Sequence, residues 1–322
     1  MTAKKDLKKL IRDRQTKTGE SYTAARAQLL RDRGTQSVGE AAPPVRAEAI
    51  VLKVNAQSAR IRIAGEHGAL TFRSPDVRRV VPGHVADVVI EKRWTWRGDE
   101  YASGTVEDVR VDVAKLGLDP LPLEGGELED VANYSEPYEP SDPYCSLWRR
   151  LTAKPRPSFE FDGIAWGALP GSNPDDNPTC DAAELAAAGD CNGARELLMD
   201  VLCEEPRCID AHAHLGNLAF DRTPASALVH YEIGVRIGEL SLPPNFNGLL
   251  VWGRLYNRAF LRCLHGYGLC LWRLGRLDEA QQVFERILAL NPSDHQGVRF
   301  CWYDLRQGRS WEEMQEHEGL VE

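Results

Sequence analysis

The sequence predicts a multidomain α+β chain: short basic N-terminal helices, a small antiparallel β-barrel and a C-terminal array of paired α-helices. Three observations predict it. Apolar residues recur at helical spacing over residues 4–33 and again from residue 180 onward. Between residues 46 and 113 they fall instead in short β-branched runs broken by Gly and Pro. The late helical pieces resemble one another, as stacked repeats do. A length of 322 residues fits two or three modules, at roughly 100–200 residues per domain. The expected division is a basic helical arm at 1–34, a linker at 35–45, a barrel at 46–115, a connector rich in Pro, Gly and acids at 116–179, and the repeat array at 180–322.

The arm comes first. Leu7, Leu10 and Ile11 share one helical face among Lys4, Lys5, Lys8, Lys9, Arg12 and Arg14; a second helix carries Tyr22, Ala25, Leu29 and Leu30 and ends before Gly34. Ten Lys and Arg stand against Asp6, Asp13, Glu20 and Asp32, a net +6 in a chain whose total is −9. Such a face is a solvated docking surface or a polyanion-binding arm. No apolar stretch follows these cations, so the N-terminus lacks the hydrophobic region of a secretory signal. No apolar run reaches the ~20 residues that span a bilayer. The expectation is a cytoplasmic protein with no membrane partner. Eight scattered cysteines agree, reading as reduced, buried, small apolar residues.

After the linker, with its paired Pro43 and Pro44, the period becomes two. The runs are Ala47–Val54, Ala59–Ile63, Leu70–Phe72, Val85–Ile90 and Tyr101–Val111, and glycines at 65, 68, 83 and 98 mark turns between them. Residues 116–177 hold prolines at 120, 122, 137, 140 and 143 among Gly125, Gly126, Glu127, Glu129 and Asp130. Such a stretch cannot bury a core of its own. An extended connector follows, with Trp148, Phe159, Phe161, Ile164 and Trp166 docking it onto a neighbour.

The clearest repeat is LRCLHGYGLCLWRLGRLDEAQQVFERILALNP, residues 261–292. Gly268 is the small residue that lets two helices approach, Leu264, Leu271 and Trp272 supply bulk, and Gly275 and Leu277 make the turn. Ala280 is small on the second helix, Phe284 is the aromatic knob, and Pro292 closes the unit. This piece resembles a tetratricopeptide repeat. Looser units precede it: 183–206 with a shortened first helix, and a pair built on Ala211, Leu215, Gly216, Ala219 and Phe220, then Ala227, Tyr231, Val235 and Ile237. From Ala227 to Ala280 the spacing is too long for the family, and residues 240–260 read as an inserted irregular loop running into an early start of the last repeat's helix. Its Trp252, Tyr256, Asn257 and Arg258, with Arg262, either pack or line a protein-binding face. A terminal helix with Val298, Cys301, Trp302 and Leu305 inward, then an acidic cap at 311–316, completes the array.

The resemblance implies an adaptor that binds protein partners without chemistry. No G-x-S-x-G elbow, phosphate loop or G-x-G-x-x-G following a strand is present, so no enzyme activity and no cofactor are expected. Asp175 and Asp176 read as solvated turn residues. Cys203, Cys208, His212 and His214 form a tempting metal spacing, Cys-x4-Cys-x3-His-x-His. Zinc pairs are usually tighter, and core packing is the expectation, with no metal.

The barrel offers an alternative. Its strands, with Pro82-Gly83-His84-Val85 before the fourth, resemble an S1-like or OB-type barrel. That resemblance implies base stacking on aromatics beside a basic groove. Phe72, Trp94, Trp96 and Tyr101 are the candidate platforms, with Trp94 and Trp96 on one strand face. Arg60, Arg62, Arg73, Lys92, Arg93 and Arg97 are the candidate phosphate contacts. Against it, residues 46–113 are nearly neutral, with eleven Lys and Arg and ten Asp and Glu. The chain is thus expected to be a protein-binding adaptor or, alternatively, an RNA- or ribosome-associated factor; an uncharacterised enzyme with a pocket between barrel and array is a third reading.

Overall fold

The computed structural model describes residues 43–134, 138–169 and 177–319. The predicted arm, most of the linker, and Asp175 and Asp176 lie outside these residues. The chain divides into two compact units, Met1–Val45 and Arg46–Glu322; of the first, only residues 43–45 are described.

The fold class is the one the sequence predicts. Strands β1 (Val45–Val54), β2 (Ser58–Ile63), β3 (Leu70–Arg73), β4 (His84–Trp96) and β5 (Asp99–Val111) close a barrel in the order β1-β2-β3-β5-β4. Period-two alternation sends Ala59, Ile61 and Ile63 of β2 inward and leaves Arg60 and Arg62 outside. Val51, Ile61, Phe72, Val88, Ile90 and Val106 fill the interior. β1 with β2, β2 with β3 and β4 with β5 pair antiparallel, and β3 with β5 pairs parallel. β4 and β5 run on past the barrel as a two-stranded ribbon whose tip lies between Trp96 and Asp99.

The region expected to be an extended connector is more ordered than that. β6 (Leu123–Glu129) pairs antiparallel with β7 (Arg156–Phe161), and helix α1 (Cys145–Leu151) lies between them in sequence. The chain could build this small sheet because it borrows a core: Trp148, Phe161 and Ala165 are buried in the core of the helical array, and Phe159, Ile164 and Trp166 pack against it. The inserted loop completes the joint. Leu249 N–H donates to Pro157 C=O at 2.8 Å, and Phe159 N–H donates to Leu249 C=O at 2.9 Å.

Eight helices follow in pairs: α2 (Pro178–Ala187) with α3 (Cys191–Glu204), α4 (Ile209–Phe220) with α5 (Pro224–Leu240), α6 (Asn257–Arg273) with α7 (Leu277–Leu290), and α8 (Val298–Arg306) before α9 (Trp311–Gly319). α6 begins early, as expected after an irregular loop. The pair α6–α7 is tight because Gly268 has no side chain; a Cβ there would lie 2.6 Å from the Phe284 ring. Val298, Trp302 and Leu305 cover the exposed end of the array from α8. The first helices of successive pairs, α2, α4 and α6, contact one another directly.

Barrel and array share a buried junction. Ile50, Val85, Val113 and Leu116 belong to the same buried cluster as Ile209, Ile233 and Ile237, and Lys53 of β1 bonds to Asp200 of α3. Among the described residues no helix is long and apolar enough to cross a membrane.

Candidate functional site

Two surfaces carry the residues singled out in the sequence. The first is the face lined by α2, α4 and α6. On its α6 edge, Arg262 is held in place from several sides. Its Nη1 donates to Asp210 Oδ1 at 3.0 Å, and its guanidinium lies 4.7 Å from the Trp166 ring and 5.9 Å from the Trp252 ring. Asp210 is buried and takes a second hydrogen bond from Thr179 Oγ1 at 3.0 Å, with His214 Nε2 3.3 Å away. Arg258 donates from Nε to Trp252 C=O at 3.0 Å and stacks over the same indole at 5.3 Å. The structure thus brings Trp252, Arg258 and Arg262 together, and adds Trp166 of the connector to them.

Tyr256 is half-exposed beside this cluster, its N–H donating to Glu160 Oε1. Asn257, expected on the same face, is corrected: it is fully buried. Its Oδ1 accepts from Phe161 N–H at 3.1 Å, and its Nδ2 donates to Phe159 C=O at 2.9 Å and Val251 C=O at 3.3 Å. It pins β7 and the inserted loop to the start of α6. A short polar side chain at a helix start is read easily as surface, and nothing local in the sequence distinguishes it from a buried bridge.

Beyond Arg262 the face opens into two clefts of about 300 Å³ each that share Asn217. One lies between α2 and α4, lined by Ala183, Ala186, His214 and Leu218. The other lies between α4 and α6, with Phe220, Leu269 and the Tyr231 ring as apolar walls and Gln296 at its end. Gly266 makes room for that ring, since a Cβ there would lie 2.3 Å from it. Tyr231 OH donates to Asn217 Oδ1 at 2.6 Å. His265, in the same wall, has its pKa pushed down to about 4 by burial and is neutral near pH 7. Sequence reasoning missed Asn217, Leu269 and Gln296. The first two stand on the outward stripe of first helices and a register of the repeats would have found them; Gln296 sits in a loop with no local signal.

The second surface is the β4–β5 ribbon. Cross-strand partners share a face, so the pairs Trp94 with Tyr101, Lys92 with Ser103 and Trp96 with Asp99 put these six side chains on one side. Trp94 and Tyr101 stack with ring centroids 5.6 Å apart and planes at 12°. Arg73 of β3 lies over both, at 5.8 and 5.6 Å. Trp96 is 55% exposed, with Arg97 4.5 Å above its ring. The opposite face carries Arg93, Thr95 and Glu100. Three platform and phosphate assignments are therefore corrected. Phe72 is buried in the barrel core, because β3 alternates Leu70 and Phe72 inward with Thr71 and Arg73 outward. Arg93 points to the other side of the ribbon and is committed to Glu66 through two hydrogen bonds of 3.1 and 2.8 Å. Arg62 also turns away, donating to Lys115 and Leu116 C=O.

The four residues of the suspected metal spacing do not converge. Cys203 is exposed while Cys208 and His212 are buried, and among the described residues no group of three or more His, Cys, Asp and Glu could hold a metal ion. Burial raises the Cys208 and Cys270 thiols to about 12 and pushes Cys263 well up, so these three sulfurs stay protonated.

Comparison with known proteins fits the helical geometry. The tetratricopeptide repeat family matches residues 261–294, the stretch spanning most of α6, all of α7 and the closing Pro292. A solved structure, the first TPR of Spaghetti (RPAP3) bound to HSP90 peptide SRMEEVD, is similar over 41% of this chain and 91% of that chain, with 15% identity and a TM-score of 0.32. A search of curated proteins finds no match.

Proposed function

We propose that this chain is a protein-binding adaptor that holds a segment of a partner on the face lined by α2, α4 and α6. The observation that carries this reading is the pair of adjoining clefts on that face, joined at Asn217, within an array whose last full unit is a tetratricopeptide repeat. Stacked repeats with a continuous core leave their first-helix face free for a ligand, and the binding surface grows with the number of units. Tyr256 and the Trp252–Arg258–Arg262 cluster form one border of the face.

The test is hydrogen–deuterium exchange on the full chain, free and in complex with proteins co-purified on it. Slowed exchange in α4 and α6 supports the reading; slowed exchange confined to the barrel overturns it.

A second reading has one specific observation behind it. The ribbon sorts its charge by face: Lys92, Arg73 and Arg97 stand beside Trp94, Trp96 and Tyr101, and of the six ribbon side chains on that side only Asp99 is acidic. Stacked aromatics flanked by cations suit single-stranded nucleic acid. Fluorescence anisotropy with a labelled single-stranded RNA at two salt concentrations tests it. Binding that weakens with salt and with Trp96→Ala supports a nucleic-acid contact; no salt-dependent binding removes it.

A further inference from the structure

We infer that the junction between barrel and array is a proton-operated latch: acid charges the buried cluster of His84, His212 and His230, and the barrel lets go of α4 and α5 while barrel and array each stay folded. β4, α4 and α5 supply one imidazole each, and all three side chains are at most 5% exposed. The His212 and His230 ring centroids are 6.1 Å apart. α5 passes His212 at Gly234, where a Cβ would lie 3.3 Å from the His212 Cβ. His84 ends the turn by which the barrel seats on α5, and a Cβ at Gly83 in that turn would lie 2.7 Å from Ile233.

The geometry suits neutral imidazoles and no others. Val81 N–H donates to His84 Nδ1 at 3.2 Å. An imidazolium carries a hydrogen on both ring nitrogens, so charging His84 breaks this bond inside the turn that touches α5. His212 and His230 each bury Nδ1 without a partner among the described residues, and a hydrogen placed there gains no acceptor. Burial holds each imidazole below its usual pKa; the charges that add to this are the neighbouring imidazoles and, for His230, Arg195 of α3. Carboxylates on the packed elements are turned to other cations: Asp200 of α3 to Lys53, Asp210 of α4 to Arg262, Glu232 of α5 to Arg236, Asp87 of β4 to Arg110, and Glu48 of β1 to Arg110 and Lys115. The space beside His212, bounded by Val51, Leu52, Pro82 and Gly83, is about 20 Å³. That is room for one water and not for the hydration shell of a cation.

Release at the junction comes before unfolding of either side because the protons are taken up there. The junction is held by Ile50, Val85, Val113 and Leu116 against Ile209, Ile233 and Ile237, with the Lys53–Asp200 ion pair at its edge. The barrel interior is filled by its own apolar residues and holds no histidine among those described. The array holds one comparable imidazole, His265 against the Phe284 ring, whose pKa burial also lowers to about 4. Three protons therefore act on the junction for one that acts on the array core. Each histidine freed by opening makes opening about tenfold more favourable per pH unit below about pH 6.5, so the three together give on the order of a hundredfold or more between pH 6 and pH 5.

The test is a titration of the full chain, labelled at the isoleucine Cδ1 methyls, followed by NMR from pH 7 to pH 4. Ile50, Ile209, Ile233 and Ile237 report on the junction, Ile61 and Ile90 on the barrel core, and Ile287 on the array core. The expected result is that the junction methyls leave their native positions first, while Ile61, Ile90 and Ile287 keep theirs. Loss of all the methyls at one pH, loss of the core methyls first, or native positions throughout down to pH 4 overturns the inference. His212→Phe and His230→Phe, singly and together, then identify the sensor. At the pH where the wild type is half open, each substitution should lower the opened fraction relative to the closed one by at least about fivefold, since it removes one proton from the uptake. A folded double variant that opens at the wild-type pH overturns the inference. The single variants carry this arm if the double variant does not fold, and the wild-type titration decides without either.

Discussion

The barrel and the helical array solve the problem of burial in opposite ways. The barrel closes on itself, and its interior is filled only by its own residues, from Ala49 to Val106. The array cannot close. Its main core runs from the α4–α5 pair to Met314 of α9 and takes in Tyr144, Trp148 and Phe161 from the connector as well as Ile50 and Val85 from the outside of the barrel. A closed sheet therefore fills its core without help from neighbouring chain, whereas an open stack draws on neighbouring chain to cover its apolar faces.

The most direct way to break this comparison is to remove one aromatic knob from each core. Phe284→Ala and Phe72→Ala each delete a fully buried ring, and each should cost about 3–5 kcal/mol. Urea unfolding followed by far-UV circular dichroism reads mainly the helices. Phe284→Ala should lower that helical transition sharply, while Phe72→Ala should leave it near the wild-type midpoint and accelerate amide exchange only in the barrel strands. Equal loss of helical signal in both variants would mean one cooperative unit, and the contrast between a closed core and a borrowed one would fail.

Asn257→Leu tests the borrowing itself. The substitution keeps the branched shape and removes the amide that joins β7 to α6, leaving Phe161 N–H and the carbonyls of Phe159 and Val251 without that partner. Each buried group left unpaired costs about 1–3 kcal/mol, and a total near 3 kcal/mol is expected after relaxation. Amide exchange at Phe161 should accelerate by orders of magnitude more than exchange in the barrel strands.

Acid should loosen the junction between the two regions. His84 of β4, His212 of α4 and His230 of α5 are buried, and burial holds His84 down to about 4 and His212 to about 3, with His230 well below its usual value. Secondary contributions come from the neighbouring imidazoles, and for His230 also from Arg195. A depressed histidine is neutral when folded, so below about pH 6.5 the unfolded chain binds the proton first. Stability is then complete above that pH and falls as the pH drops toward the folded values. The slope is about 1.4 kcal/mol per pH unit for each histidine over that window. Urea midpoints at pH 7 and pH 5 measure it, and His230→Phe should flatten the slope by one histidine's share.

The legibility of the two regions differed for the same physical reason. The barrel was readable strand by strand because a period of two is local, and Ala59, Ile61 and Ile63 announce their direction without reference to anything distant. The last repeat was readable because Gly268, Ala280 and Phe284 must sit at fixed spacing for two helices to touch. The connector reads as extended from sequence, since its few apolar residues are too sparse for a core of their own and the sequence does not say that α6 and the inserted loop supply the rest. Asn257 and Gln296 were illegible for a related reason: what a buried amide bonds to is set by chain more than 30 residues away, at Phe159, Phe161 and Leu261. Phe72 shows the reverse error. Its alternation with Arg73 places it inside the barrel, and a local period of two is enough to rule it out as an exposed platform.

The smallest expected effect on stability is on the ribbon, and it sharpens the contrast most cleanly. Trp96 is 55% exposed, and Arg97 is its ring partner. A core that closes without the ribbon tip gains nothing from that ring, so Trp96→Ala should shift the urea midpoint by an amount within about 0.5 kcal/mol. Trp94 differs. It is half-buried, stacked on Tyr101 and covered by Arg73, and aromatic pairs of this kind contribute about 0.5–1.5 kcal/mol beyond their area. Trp94→Ala should therefore cost more than Trp96→Ala although the two residues share one face two positions apart. If the two variants are equally silent in stability, the stack is not part of the fold and the whole face is surface. If Trp96→Ala proves the costlier, the ribbon tip packs in solution against something beyond the described contacts, and the barrel is not the self-sufficient half of the molecule.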